Sequence, residues 1–287
     1  MLCKIGEVEV WRILEINGPF LTPEELFPTA GPDVRRIVEE HVEGGVCVRS
    51  GRLILPVQGF LLKTPSHTIL VDSCVGNDKT VPGTPDWHKR SDTRFMAALT
   101  AAGVGTDDID YVLCTHLHPD HVGWNTRLED GRWVPTFPNA RYLLPAADED
   151  VQRARHADLY VESVLPVIEA GQAELVEAGH MLGDHVTLVP TPGHTHGHVS
   201  VKVKSGNHEA LITGDAMHST VQCRYPDWHF IYDADAEMAV ASRRRLLEQA
   251  SETGCVVLGS HFALPSFGHV RSDRDAFLWE DRLWRKS

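Results

Sequence analysis

The chain has 287 residues, 42% hydrophobic and 23% charged, with a formal net charge of −13, so a sizeable core can be buried whether it folds as one domain or two. No apolar stretch is long enough to cross a bilayer, and the acidic balance argues against a nucleic-acid backbone as main partner, because phosphate binding calls for a basic surface. The start "MLCKIGEVEVW" lacks the pattern of a secretory signal, and the six cysteines (Cys3, Cys47, Cys74, Cys114, Cys223, Cys255) are scattered without a C-x-x-C pair, which reads as reduced thiols in a cytoplasmic protein.

Residues 7–16 alternate apolar and polar side chains and are expected to form a strand. Residues 18–50 mix Pro and Gly with one amphipathic run, "PDVRRIVEEHV", and read as a loop-and-helix excursion. "LILPVQGFLLKT" and "HTILVD" are two strands around the turn "TPSH". A long loop, "VGNDKTVPGTPDWHKR", leads to the helix "SDTRFMAALTAAG", with a Ser or Asp cap and a terminal Gly. "TDDIDYVLCTH" adds a capped turn and a buried strand, and "RYLLP" a short strand. Residues 146–170 read as helical with a break at Pro166. "HVTLVPTPGH", "HVSVKVKS" and "EALITGD" are three further strands. The amphipathic helix "DAEMAVASRRRLLEQASETG" then precedes the strand "CVVLGSH". Strand groups precede helix groups twice, which fits a layered helix–sheet–sheet–helix sandwich of two similar halves. No exposed linker separates them, so a single domain over 1–287 is expected.

The stretch "CTHLHPDHVGW" raises the question of function, because His116, His118, Asp120 and His121 crowd one strand end. In an extended segment residues two apart share a side, so His116 and His118 can reach one ion while Leu117 packs inward. Pro119 keeps His118 extended and stops the strand, turning Asp120 and His121 towards a second position. Three more strand ends finish in ligand types: His194 in "TPGH", Asp215 in "ITGD" and His261 in "LGSH". Imidazole with carboxylate and no thiolate suits zinc, manganese, iron or nickel. Isolated histidines such as His41, His67, His88, His156, His180, His185 and His208 read instead as capped or solvent-facing.

"THLHPDH", "TPGHTHGH", "TGD" and "GSH" together resemble the metallo-β-lactamase-fold hydrolase superfamily, over residues 72–261. The resemblance implies an α+β fold, the four-layer αββα sandwich, with a two-metal site at the edge of the paired sheets. It implies two divalent ions per chain, zinc first, with Mn2+, Fe2+ or Co2+ also suited. His116, His118 and His194 would hold one ion, Asp120, His121 and His261 the other, with Asp215 shared. Asp72 in "ILVDSCVG" and His198 would support these ligands, although a turn aspartate after a strand is the plain alternative for Asp72. His196 departs from the proline often found at its position and receives no role.

Within the superfamily, true β-lactamases lack the bridging aspartate, and flavin-linked di-iron reductases carry glutamate where His118 stands. Glyoxalase-II-type thioesterases add a C-terminal helical region that a chain ending about 25 residues past His261 is too short to hold. Nucleic-acid-cleaving members carry extra domains and basic surfaces. "GDAMHSTVQ" is similar to the methyl parathion hydrolase and lactonase branch, with His218 three residues after Asp215 where acyl-homoserine lactonases usually carry tyrosine. The implied activity is cleavage of an ester or lactone, with phosphotriesters admitted, in a small organic substrate by a bridging hydroxide. Asp120 would orient as a ligand, Asp215 bridge, and His218 hydrogen-bond the substrate or leaving group, a packing histidine being its alternative. A glyoxalase-II-like thioesterase and a mononuclear iron dioxygenase acting on sulfur compounds are the alternative functions. The implied partners are a small ester or lactone and a second copy of the chain, with no nucleic acid and no membrane. Phe20, Phe27, Trp87, Trp124, Trp228 and Phe230 are candidate pocket walls for an uncharged substrate, with ordinary core as the competing role.

Overall fold

Alternating and continuous apolar runs become different strands in the computed structural model, which describes residues 1–155 and 157–281. The hairpin of β1 (Cys3–Ile5) and β2 (Val8–Pro19) pairs Cys3 with Val10 and alternates buried and less buried positions. The excursion holds two helices, α1 (Pro23–Leu26) and α2 (Val34–His41). A capping box starts α1: the Thr22 hydroxyl accepts from Glu25 N and the Glu25 carboxylate accepts from Thr22 N, with Pro23 in the first turn. Val34 and Val38 turn inward from α2 onto Leu26, Phe27 and Leu53.

β3 (Ile54–Lys63) is buried continuously from Leu55 to Leu62 and pairs antiparallel with β4 (Thr68–Val71). Next come α3 (Arg94–Ala101), β5 (Tyr111–Leu113) and the single turn α4 (Pro119–Val122). α3 starts later than its "SDT" suggests, because Asp92 accepts from Arg94 N and so caps from two residues upstream. β5 is shorter than the run "YVLCTH" suggests. Cys114 N still donates to Leu143 O, but Thr115 N turns to the Asp72 carboxylate at 2.8 Å, which ends the ladder. β6 (Thr126–Glu129) and β7 (Arg132–Pro135) form a hairpin that periodicity does not announce; its Asp130–Gly131 tip has φ of +48° and +76°, the positive values a two-residue hairpin turn needs.

β8 (Arg141–Pro145) is followed by three helices, α5 (Ala146–Arg155), α6 (Asp158–Ser163) and α7 (Leu165–Glu169). The helix break expected at Pro166 falls before it instead: Pro166 lies in the first turn of α7, where a missing N–H costs nothing. His156 lies outside the described residues. Then follow β9 (Ala173–Val176), β10 (Met181–Leu182), β11 (Val186–Pro190), β12 (Val199–Ser205), β13 (His208–Ile212), α8 (Val221–Arg224), α9 (Ala236–Thr253), β14 (Val256–Leu258), β15 (Phe267–Asp273) and β16 (Ala276–Glu280). α9 matches the expected helix: Asp235 accepts from Met238 N at its start, and Gly254 with φ +64° ends it.

The strands make two mixed seven-stranded sheets, ordered β1-β2-β3-β4-β5-β8-β9 and β10-β11-β12-β13-β14-β15-β16. Strands β4, β5, β8 and β9 run parallel in the first, and β13 and β14 in the second. The chain divides into two units, Met1–Glu15 with Val57–His185, and Ile16–Pro56 with the residues from Val186 onward. In the second unit, α9 packs Leu246, Leu247 and Ala250 against Leu211, Val257 and Phe262. Each chemistry-bearing residue singled out above follows a strand end: His116 after β5, His194 after β11, Asp215 after β13 and His261 after β14.

Candidate metal centre

In the first unit His118 caps α4 in an extended conformation, φ −89° and ψ 162°, with Pro119 opening the helix. Asp120 and His121 thus leave the strand direction, as the proline implies. The His116 ring centroid lies 4.7 Å from that of His118 and 4.0 Å from that of His121. His116 and His118 offer ligand atoms within 4.8 Å of each other, as do Asp120 and His121. Asp72, with φ +59°, aims its carboxylate back at this motif. Its Oδ2 lies 2.9 Å from His121 Nδ1, and it accepts from the Thr115 hydroxyl, which in turn contacts His116 Nδ1 at 3.1 Å. With its hydrogen committed to Asp72, the Thr115 oxygen accepts from His116. One carboxylate therefore orients two imidazoles, each donating from Nδ1 and presenting its Nε2 lone pair.

The backbone under the motif is fixed by close approach. Ser73 N donates to His121 O, Trp124 N to Ser73 O, and Gly123 N to Cys74 O at 2.7 Å. A Cβ at Gly123 would stand 1.7 Å from Val75 O, so only glycine fits there. Trp124 is not a pocket wall: it stacks on Phe95 at 5.2 Å and donates from Nε1 to buried Glu15 at 2.8 Å.

In the second unit Asp215 is the centre of a histidine ring. His194 Nε2 lies 3.3 Å and His218 Nε2 3.1 Å from its Oδ2, and His261 Nε2 lies 3.1 Å from its Oδ1. His198 accepts from Asp215 N at 2.9 Å through Nε2, while its Nδ1 meets the Thr191 carbonyl at 3.1 Å. His261 Nδ1 is held by Pro56 O at 2.7 Å and His194 Nδ1 by Asp233 at 3.0 Å. A carbonyl or carboxylate oxygen only accepts, so both rings donate from Nδ1 and their neutral forms carry a lone pair on Nε2. Those lone pairs face a carboxylate, acceptor against acceptor.

That arrangement is repulsive as it stands and favourable around a cation, since metal-ligating histidines characteristically donate their other N–H to a carboxylate or carbonyl. The residues fit a divalent ion. His218 differs from the others: it stacks on Phe230 at 3.4 Å, and its buried Nδ1 has no hydrogen-bond partner among the described residues. Burial lowers its pKa to about 4 against the pull of Asp215, so the ring is neutral near pH 7. Burial alone would raise the Asp233 carboxyl, but the hydrogen bond from His194 and the charge of Arg243 hold it below the ordinary range.

Phe27, Trp228 and Phe230 belong to a buried core cluster, with Phe20 packed against it, and Trp87 is buried. Among the isolated histidines, His41, His88 and His208 are exposed and His67, His180 and His185 partly so. Asp233 and Arg243 are supporting residues that sequence reasoning missed. Asp233 stands 39 residues from the histidine it holds, and no local spacing marks it.

Two mixed sheets with helices, and strand ends carrying imidazoles and carboxylates, define a class of metal-binding α+β proteins. The sequence model of the metallo-β-lactamase superfamily matches residues 54–261, and the chain belongs to that superfamily. An N-acyl homoserine lactonase of a Bacillus species is 29% identical over 245 residues, covering 79% of this chain and 89% of that protein. A probable metallo-hydrolase of Mycobacterium tuberculosis is 30% identical over 186 residues, covering 55% and 56%. Among solved structures, the dizinc quorum-quenching lactonase AidC with a product bound superposes with a TM-score of 0.80 at 22% identity, covering 99% of this chain and 97% of that one. A probable metal-dependent hydrolase from Staphylococcus aureus also gives 0.80 at 19% identity, covering 98% and 100%. The α+β fold expected from the sequence is the fold found.

Proposed function

We propose that the chain hydrolyses an ester or lactone bond in a small organic substrate, acyl-homoserine lactones first, using a dinuclear metal site. His116, His118, Asp120 and His121 from the first unit and His194, Asp215 and His261 from the second would hold the ions. The observation that carries this reading is the pair of Nε2 lone pairs, on His194 and His261, directed at the Asp215 carboxylate. Further support comes from the lactonase relatives and from seven donors, five imidazoles and two carboxylates, enough for two ions. Single-domain organisation is part of the proposal, since one family model runs through both units.

When bound, divalent ions such as zinc would supply Lewis acidity and lower the pKa of bound water from its bulk value to about 7. The chain's own residues do the rest. Asp215 spaces the histidines around it, and Asp120 serves as an orienting ligand rather than a base, because a coordinated carboxylate is a poor proton acceptor. His218 donates from Nε2 to Asp215, and its buried Nδ1 keeps the ring's lone pair. All six cysteines are free, which suits the proposed cytoplasmic setting. No helix among the described residues is long and apolar enough to cross a membrane.

Metal quantitation followed by a panel of lactones, carboxylic esters, phosphotriesters and thioesters tests the proposal. Two divalent ions per chain with lactone or ester turnover is the expected result. One iron per chain with oxidation of a sulfur compound would assign the dioxygenase alternative, and preference for thioesters the glyoxalase-II-like one.

A further inference from the structure

Behind the Asp215 ring lies a fully buried ion pair, Asp233 with Arg243, that the proposed chemistry does not use. Arg243 projects from α9, and its guanidinium reaches two separate stretches of backbone. Its Nε donates to Ala216 O at 2.9 Å, one residue past Asp215. Its Nη1 donates to Pro226 O and Trp228 O at 2.8 Å each. Its Nη2 faces Asp233 Oδ2 at 3.6 Å, an ion pair longer than a hydrogen bond. That same Oδ2 accepts from Phe230 N at 2.8 Å, while Oδ1 holds His194 Nδ1 at 3.0 Å. The backbone repeats the connection, for Ala234 N donates to His194 O and Asp235 N to Gly193 O.

We infer that Asp233, anchored by Arg243, is a positioning residue that sets the His194 imidazole as the Nδ1–H tautomer with Nε2 turned to the metal, and that Arg243 ties this ligand to the Asp215 loop. The inference rests on the metal-centre reading. A carboxylate that accepts from Nδ1 leaves the lone pair on Nε2 and makes the ring a stronger donor, and removing such partners typically costs 10–100-fold in metal affinity. Asp233→Asn keeps the shape but lets an amide N–H face Nδ1, which favours the opposite tautomer. Arg243→Lys keeps a charge but loses the fork that serves three acceptors and a carboxylate.

Competition of Zn2+ and Co2+ against a chromophoric chelator, with the visible spectrum of the Co2+-loaded protein, reads the effect without substrate. Asp233→Asn is expected to weaken one of the two ions 10–100-fold, spare the other and alter the Co2+ bands, while Asp233→Glu recovers part of the loss. Wild-type affinity for both ions in Asp233→Asn would overturn the positioning role alone. Wild-type protein that binds no divalent ion would overturn the metal-centre reading itself. Should Asp233→Asn fail to fold, long-range 15N spectra of metal-free wild-type protein decide: His194 protonated on Nδ1 supports the inference, and protonation on Nε2 refutes it.

Discussion

For single residues, the chemistry turns on which nitrogen of each imidazole is already committed. Asp72, Asp233 and the Pro56 carbonyl each hold an Nδ1, and this decides that Nε2 is the atom presented by His121, His194 and His261. Replacing the carboxylate that His194 and His261 face, in Asp215→Ala, should lower ester or lactone hydrolysis at least ~100-fold, about 2.7 kcal/mol of transition-state stabilisation. The far-ultraviolet circular dichroism should stay unchanged, and retained activity would remove Asp215 from the mechanism. His218→Phe keeps a ring against Phe230 but deletes the contact to Asp215. Turnover is expected to fall with metal content intact; loss of an ion would make His218 structural. The ligand candidates were legible because H-x-H-x-D-H is a local pattern whose geometry follows from strand pleat and Pro119. Asp233 and Arg243 were not, because their meaning depends on a fold that brings residue 233 to residue 194.

Whole elements are placed by backbone demands that sequence shows only in part. β5 stops where Asp72 captures Thr115 N, and α7 begins with Pro166 in its first turn. The segment at residues 75–90, which reads only as a long loop, is pinned by Lys79. Its buried ammonium donates to Thr126 Oγ1 at 2.5 Å and Glu162 O at 2.9 Å and lies 3.6 Å over the Trp133 ring. Burial lowers its pKa from 10.5 to about 7. The unfolded chain therefore binds the extra proton between pH 7 and 10.5, and stability rises with pH across that window. Below pH 7 the cost of burying the charge is present in full, on the order of 5 kcal/mol at about 1.4 kcal/mol per unit. Urea unfolding at pH 6.5 and 9.5 should show this rise in wild type and a flatter profile in Lys79→Met; equal slopes would mean the ring and carbonyl already offset the burial.

The whole molecule supplies a test that needs no substitution. Stripping bound ions with a chelator should lower the melting temperature on the order of 10 °C, because an ion at a thousand times its dissociation constant contributes about 4 kcal/mol. Scanning fluorimetry with and without chelator reads the shift, and no shift would count against the metal centre. Calorimetry of the loaded protein should show one transition with equal calorimetric and van 't Hoff enthalpies; two transitions would sink the single-domain proposal. The amino-acid sequence alone determined the α+β class and singled out the candidate donors, because strand periodicity, proline and strand-end position act over a few residues. Tertiary structure alone decided which ring nitrogen His116, His121, His194 and His261 present, that Trp124 and Phe27 are core rather than pocket wall, and that Asp233 stands behind His194. The reason is range: those hydrogen bonds join residues from 39 to 205 positions apart, and no local pattern carries information across such separations.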